Sequence, residues 1–187
     1  MSAVELRVHR VLHGSRANGP GSRAVVWLQG CPLNCPGCFN PETHDAAGGT
    51  SMTAASLADA LLEDSPDGIT ISGGEPFAQA EGLRELLRAL RERNAPPVLV
   101  FSGYTEAELR ADPAKAACLS AIDALICGPF RADEPAAYER FCSSGNQSLV
   151  LLTERMRAED FADLPLREII IGEDGTALFS GIAPVRV

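Results

Sequence analysis

Residues 31–38 read CPLNCPGC and bring three of the chain's six cysteines into one short segment. Cys31, Cys35 and Cys38 are separated by three and then by two residues. Thiolates at such spacing are typical ligands of a zinc ion or of an iron–sulfur cluster. Two prolines and a glycine fill the gaps and disfavour a helix, so that the thiolates can converge from a loop. The segment therefore predicts a metal centre.

Three interpretations of this loop are open from its residues alone. His44 lies near enough in the sequence to complete a tetrahedral zinc site with the three cysteines. Alternatively, the thiolates bind three irons of a four-iron, four-sulfur cluster and leave the fourth iron open. An open metal position is where a substrate can bind, which explains why the motif stops at three cysteines. The third interpretation is that the cysteines are unrelated buried thiols.

A second motif, ISGGEPF at residues 71–77, comes directly from an apolar run that predicts a strand. Gly73 and Gly74 have no Cβ, so a ligand can approach the main chain there. Glu75 adds a carboxylate suited to an ammonium group, and Pro76 suits the first position of a following helix. An ordinary strand-to-helix turn would explain the same residues.

Short apolar runs alternate with helical patterns along the chain, which predicts an α/β fold with parallel strands. Strands are predicted at residues 24–29, 68–72, 97–102, 123–128, 148–153 and 168–172, with a possible edge strand at 4–11. Helices are predicted within residues 51–64, 78–94, 105–112 and 113–121. We expect one domain over residues 1–187, with a cluster loop at 30–40 and C-terminal strands within 148–187. Ligands of parallel sheets collect at the carboxyl ends of the strands, where both motifs are predicted to meet.

The composition excludes several classes of partner. The formal net charge of −9 offers no basic field to attract nucleic acid or an anionic membrane. No apolar run approaches the ~20 residues that cross a bilayer. The N-terminus, MSAVELRVHR, has charges where a signal peptide would place its apolar segment. We therefore expect a cytoplasmic protein whose clustered thiols stay reduced.

Together the two motifs resemble the radical S-adenosylmethionine superfamily, whose signature is CxxxCxxC followed by a GGE-type segment. The resemblance implies a partial, incomplete parallel βα barrel. It also implies a 4Fe–4S cluster held by Cys31, Cys35 and Cys38. S-adenosyl-L-methionine would chelate the open iron through its amino and carboxylate groups. The segment at Gly73, Gly74 and Glu75 would contact the methionine end of that cofactor.

The cysteine loop GCPLNCPGCFNPET is similar to that of the glycyl-radical enzyme activases, above all the short activating proteins of anaerobic ribonucleotide reductase. Like them, the chain has a glycine before the third cysteine and an aromatic residue followed by asparagine after it. The resemblance continues through VFSGYTEAEL (100–109), DALICGPF (123–130) and SSGNQ (143–147). It departs at Ser148, where the family usually has a basic residue, and in the few cations of the preceding stretch.

The resemblance implies an oxidoreductase whose chemistry is carried by cluster and cofactor, with no catalytic side chain assigned. A one-electron reductant such as flavodoxin or ferredoxin would supply the electron that cleaves S-adenosylmethionine. The resulting 5′-deoxyadenosyl radical would take a hydrogen atom from a glycine of a partner glycyl-radical enzyme. The alternatives are a stand-alone radical tailoring enzyme acting on a peptide or small metabolite and, from another class, a zinc-binding structural module.

The remaining candidates have weaker patterns. Ser102 and Tyr104 follow a predicted strand and would line the adenosine side, or form an ordinary turn. Asn146 would contact cofactor or partner, or serve a turn. Trp27 and Phe39 are interpreted as packing around the cluster, with plain core packing the stronger reading for Trp27. The other cysteines are expected to be buried small hydrophobes, and a hydrogen-atom relay is conceivable for one, Cys127.

Overall fold

The computed structural model describes residues 4–172 and 174–183. Its strands are β1 (Glu5–Ser15), β2 (Arg23–Leu28), β3 (Thr50–Thr53), β4 (Gly68–Gly73), β5 (Val98–Ser102), β6 (Ala124–Cys127), β7 (Ser148–Leu151), β8 (Arg167–Ile171) and β9 (Ala177–Gly181). Its helices are α1 (Ala54–Leu62), α2 (Ala80–Glu92), α3 (Glu106–Ala111) and α4 (Pro113–Leu119). Short 3₁₀ turns lie at Pro41–Thr43, Pro76–Gln79, Tyr138–Arg140 and Ala158–Phe161. The α/β class predicted from the sequence is confirmed.

Seven strands form one sheet in the order β3-β1-β2-β4-β5-β6-β7, and β8 and β9 form a separate hairpin. The four strands β2, β4, β5 and β6 are parallel, as predicted. The edges differ, because β1 is antiparallel to β2 and β3, and β7 is antiparallel to β6. The segment between β6 and β7 carries a 3₁₀ turn and no α-helix, whereas a crossover between parallel strands is usually an α-helix. Within the described residues the two edge strands do not pair, so the sheet is open.

The central strands are buried on both faces, which is why they read as continuous apolar runs. One face packs against α1, α2 and α4 through a large apolar core. The opposite face packs against the C-terminal segment, and the core there includes Phe141, Met156, Phe161 and Ile182. The helices therefore cover one side of the sheet, and irregular chain covers the other.

Two elements differ from the predicted boundaries. Residues 50–53 form strand β3, and α1 begins only at Ala54, because Thr53 accepts a hydrogen bond from the Ser56 amide at 3.1 Å and caps the helix. Strand β8 was predicted from an apolar run, yet Ile169 and Ile171 are 61% and 73% exposed. The hairpin lies outside the main sheet, so one of its faces meets no core.

A buried charge cluster holds the amino edge of the sheet together. Asp123 is fully buried. One of its carboxylate oxygens accepts from Arg91 at 3.0 Å and from Thr153 at 2.7 Å. The other accepts from the Val98 amide at 2.8 Å and from Arg155 at 3.2 Å. This carboxylate therefore joins the starts of β5 and β6 to α2 and to the segment after β7.

We expect Asp123→Ala to lower the free energy of unfolding by about 3 kcal/mol, since it leaves two arginines and a strand amide without their acceptor. This loss lies at the low end of the range expected for breaking a buried ion pair, because both arginine side chains are about a third exposed to solvent. Urea denaturation at constant slope measures the change. The matched control is Asp59→Ala, which breaks the exposed pair with Arg93 and should cost less than about 1 kcal/mol. Equal losses in the two variants would contradict the assignment.

Candidate functional site

The two motifs meet in one cavity at the carboxyl ends of β2, β4 and β5. The cysteine loop follows β2, the GGE segment ends β4, and Ser102 ends β5. The predicted site residues that line this cavity are Cys31, Cys35, Cys38, Gly73, Gly74, Glu75 and Ser102. The meeting of the motifs at one edge of the sheet, expected from the strand order alone, is thus found in the structure.

Main-chain hydrogen bonds fix the start of the cysteine loop. The Gly30 amide donates to the Thr43 carbonyl at 2.7 Å, and the Cys31 amide donates to the His44 carbonyl at 3.1 Å. The Glu75 amide donates to the Gly30 carbonyl at 2.9 Å. The loop is therefore anchored on one side to its own return segment and on the other to the GGE segment.

The two glycines of the GGE segment let main chain meet main chain. A Cβ on Gly73 would lie 2.4 Å from the Leu28 nitrogen, and a Cβ on Gly74 would lie 2.3 Å from the Gly30 oxygen. Neither contact is possible for a side chain, so the absence of Cβ is first of all a requirement of packing between β4 and the cysteine loop. The approach of a ligand to the main chain at these glycines, expected from the sequence, stays a prediction.

Glu75 is buried at the cavity wall with three hydrogen-bond donors. Its Oε1 accepts from the Phe77 amide at 3.0 Å and from the Ser102 hydroxyl at 3.0 Å, and its Oε2 accepts from the Gly103 amide at 2.7 Å. Burial raises the pKa of this carboxyl to about 7, although the donors act in the opposite direction. Because the pKa lies above its unfolded value, the folded protein loses stability as the pH rises from about 4.5 to about 7. A cation bound beside Oε2 would favour the charged form.

The three thiols of the loop fit an iron–sulfur cluster by the chemistry of their donor set. All three are free, partly exposed cysteines on the same cavity. Burial raises the pKa of Cys38, the Asn40 amide lowers it through a hydrogen bond at 3.4 Å, and the neighbouring Cys31 and Cys35 thiols raise it further. Metal binding would remove the thiol protons, and the positive metal would compensate the charge of the thiolates.

The zinc alternative requires His44 as the fourth ligand. In the described part of the chain, no three His, Cys, Asp or Glu side chains are arranged to hold a single metal ion. The His44 ring does line the cavity, but its Nε2 is buried without a hydrogen-bond partner. A site for one ion would need this nitrogen and the thiols around a common point.

The weaker candidates fall in different places. Ser102 supports Glu75 directly, whereas Tyr104 lies outside the main cavity and packs against the Lys115 ammonium, 4.4 Å from the ring centroid. Tyr104 lines a second cavity on the other side of the cysteine loop. The Asn146 amide donates to the Pro129 carbonyl at 2.7 Å, and Gln147 rather than Asn146 lines the main cavity. The roles predicted for Tyr104 and Asn146 stay predictions.

Three residues of the cavity wall are not predicted from the sequence. Leu33 of the cysteine loop, Phe130 after β6 and Ile182 after β9 all line the cavity. The rings of Phe130 and Phe39 pack at an angle of 50° with their centroids 4.8 Å apart, and Phe39, the aromatic residue after the third cysteine, also lines the cavity. No local signal marks Ile182, since its place depends on how the C-terminal segment packs across the sheet.

Trp27 lines the same cavity, and the Arg10 guanidinium lies over its ring, 4.5 Å from the centroid. It therefore combines the two roles predicted for it, packing within the sheet and contact with the site. The cysteines outside the loop are buried, as expected for small hydrophobes. Cys127 faces the helix-covered core and does not line the cavity, so the relay role has no support in this arrangement.

Comparison with known proteins agrees with this site. The family model described as "4Fe-4S single cluster domain" matches residues 17–150. An anaerobic ribonucleoside-triphosphate reductase-activating protein of Vibrio cholerae is 31% identical over 139 residues, which cover 70% of this chain and 88% of that protein. The corresponding protein of Pasteurella multocida is 31% identical over 147 residues, covering 73% and 92%. The chain belongs to the radical S-adenosylmethionine superfamily, in the group of the glycyl-radical enzyme activases.

Other members of this group are longer. A pyruvate formate-lyase-activating enzyme of Clostridium pasteurianum is 38% identical over 104 residues, which cover 52% of this chain and 44% of that enzyme. The chain thus matches less than half the length of such relatives. No helix in the described ranges is long and apolar enough to span a membrane.

We expect Cys31→Ala, Cys35→Ala and Cys38→Ala each to lose most of the bound iron and sulfide after anaerobic reconstitution, because each removes one of three thiolate ligands. Iron and sulfide analysis with the visible absorbance of the cluster measures this. Cys118→Ala is the matched control, because Cys118 is a buried thiol in the helix-covered core. Retention of a full cluster in any of the three loop variants would contradict the ligand assignment.

Proposed function

We propose that this activase holds a 4Fe–4S cluster through Cys31, Cys35 and Cys38 and activates a partner glycyl-radical enzyme. The observation that carries the proposal is the junction of the three thiols with the buried Glu75 carboxylate in one cavity. When bound, the cluster supplies the electron that cleaves S-adenosylmethionine, giving a radical that removes hydrogen from a glycine Cα. A one-electron reductant such as flavodoxin or ferredoxin delivers that electron, in a compartment such as the cytoplasm that keeps thiols reduced.

In this proposal the chain's own residues bind, orient and exclude water. Glu75 Oε2 holds the amino group of S-adenosylmethionine, while the Ser102 hydroxyl and the Gly103 amide keep the carboxylate in place. Gly73 and Gly74 bring the main chain to the methionine end. Tyr104 and Asn146 remain proposed contacts of the adenosine side or of the partner. The pair formed by Phe39 and Phe130 shields the cluster side of the cavity from water.

The hairpin beside the cavity favours a protein substrate over a small metabolite. Ile169 and Phe179 face each other across β8 and β9, and with Ile171 they form an exposed apolar surface on one side of the hairpin. The strand β9 runs into Gly181 and Ile182, which line the cavity. Exposed apolar clusters are typical of protein contacts, and the strand that carries Phe179 ends at residues of the cavity wall.

We expect the affinity for S-adenosylmethionine to fall roughly tenfold between pH 8 and pH 6, since protonation at a pKa of about 7 removes the negative charge of Glu75. The Glu75→Gln variant should bind S-adenosylmethionine more weakly at pH 8, and its affinity should no longer fall between pH 8 and pH 6 through this group. Isothermal titration of the anaerobically reconstituted protein measures both. Glu85→Gln, on the outer surface of α2, is the control and should leave affinity and pH profile unchanged. An unaltered pH profile in Glu75→Gln would rule out the assigned contact.

The experiment that tests the function combines reconstituted protein, dithionite, S-adenosylmethionine and an anaerobic ribonucleotide reductase. We expect 5′-deoxyadenosine and a glycyl radical, the latter detected by electron spin resonance. Ile171→Ser with Phe179→Ser should reduce glycyl-radical yield severalfold at limiting partner, while cleavage without partner stays unchanged. The matched control is Leu151→Ser, an exposed apolar residue on β7. Deoxyadenosine without any glycyl radical would favour the tailoring enzyme, and colourless zinc-containing protein would favour the structural module.

A further inference from the structure

One buried nitrogen at the site has no hydrogen-bond partner in the protein. In the described residues, four buried side-chain polar atoms lack a partner, and they belong to Arg10, His13, His44 and Asn146. Of these residues, only His44 lines the cavity that the three loop cysteines also line. Its unpartnered atom is Nε2.

Main-chain hydrogen bonds place the His44 backbone beside Cys31. The His44 carbonyl accepts from the Cys31 amide at 3.1 Å, and the preceding Thr43 carbonyl accepts from the Gly30 amide at 2.7 Å. The His44 amide in turn donates to the Pro41 carbonyl at 3.2 Å, which closes the 3₁₀ turn. Cys31 and His44 both line the main cavity and the second cavity across the loop, so they share one section of its wall. These bonds fix the position from which the His44 side chain extends.

A buried polar group without a partner is unfavourable, so such atoms in native structures are satisfied by protein, by ordered water or by a bound group. The group that belongs in this cavity is a cluster, whose sulfides and thiolates accept hydrogen bonds and carry negative charge. A neutral imidazole with its proton on Nε2 is a donor suited to such an acceptor.

We propose that His44 is a positioning residue that donates a hydrogen bond from Nε2 to a sulfur of the 4Fe–4S cluster at its Cys31 corner. This donor stabilises the reduced, more negative cluster and raises its reduction potential. It is a neighbour of the cluster and not its fourth ligand, which leaves the fourth iron open. The inference rests on the cluster of the proposed function but not on the identity of the substrate.

The first test is a reduction potential measured by redox titration of the reconstituted protein, without S-adenosylmethionine or partner. We expect His44→Phe to keep its iron and shift the potential to more negative values. His44→Gln retains an amide donor and should lie between His44→Phe and the unsubstituted protein. His13→Gln is the control, because His13 lies on β1 and does not line the cavity, so the potential should be unchanged. An unchanged potential in an iron-loaded His44→Phe overturns the proposal.

The second test needs no substitution and decides the case where His44→Phe fails to load iron. The protein is labelled with ¹⁵N-histidine, and the reduced cluster is studied by pulsed electron spin resonance. A weak ¹⁵N coupling that disappears in His44→Gln or His44→Phe, but persists in His13→Gln, supports a hydrogen bond. If no substituted protein loads, weak coupling in the labelled protein alone supports it. Strong coupling, typical of a bound nitrogen, or no coupling at all overturns it. Both readouts are independent of cofactor cleavage, so failure of the activase assignment would leave them unaffected.

Discussion

The site depends on a contact between two main chains that only glycine permits. Gly73, the last residue of β4, and Gly74, which follows it, lie so close to Leu28 and Gly30 that a Cβ would not fit. The hydrogen bonds from Gly74 to Leu28 and from Glu75 to Gly30, at 2.8 and 2.9 Å, follow from this approach. These hydrogen bonds fix the start of the cysteine loop to the end of the sheet, although the loop itself has no regular strand. The thiols and the carboxylate are held relative to each other by backbone rather than by side-chain packing.

The two faces of the sheet differ in the residues that they carry. On one face, the aliphatic residues of β2, β4, β5 and β6 and the helices form a core that needs no polar partner. On the other face, Thr70 and Ser72 of β4 lie beside Arg23 and Trp27 of β2, and apolar C-terminal chain covers β5 and β6. Glu75 lies just beyond the carboxyl end of β4, and burial there raises the pKa of its carboxyl to about 7.

Much of this arrangement could be predicted from the sequence, for identifiable physical reasons. The central strands are buried on both sides, so their apolar runs are unambiguous, and the rule for carboxyl ends of parallel strands brings the cysteines to Glu75. The exposure of Ile171 and the antiparallel direction of β7 could not be predicted, because both depend on contacts far along the chain. The position of Tyr104 could not be predicted either. Ser102 lines the main cavity, whereas Tyr104, two residues later in the turn, lines the second cavity.

The order of the cavity wall along the chain has a consequence for assembly. The thiols and Glu75 belong to the first half of the chain, whereas Gly128, Ser143 and Ile182 on the opposite wall are synthesised later. Since a domain generally folds as a unit, the cavity is complete only when both stretches of chain are present. A chain truncated before Ile182 would keep the three loop cysteines and Glu75 but would lose part of the wall around them.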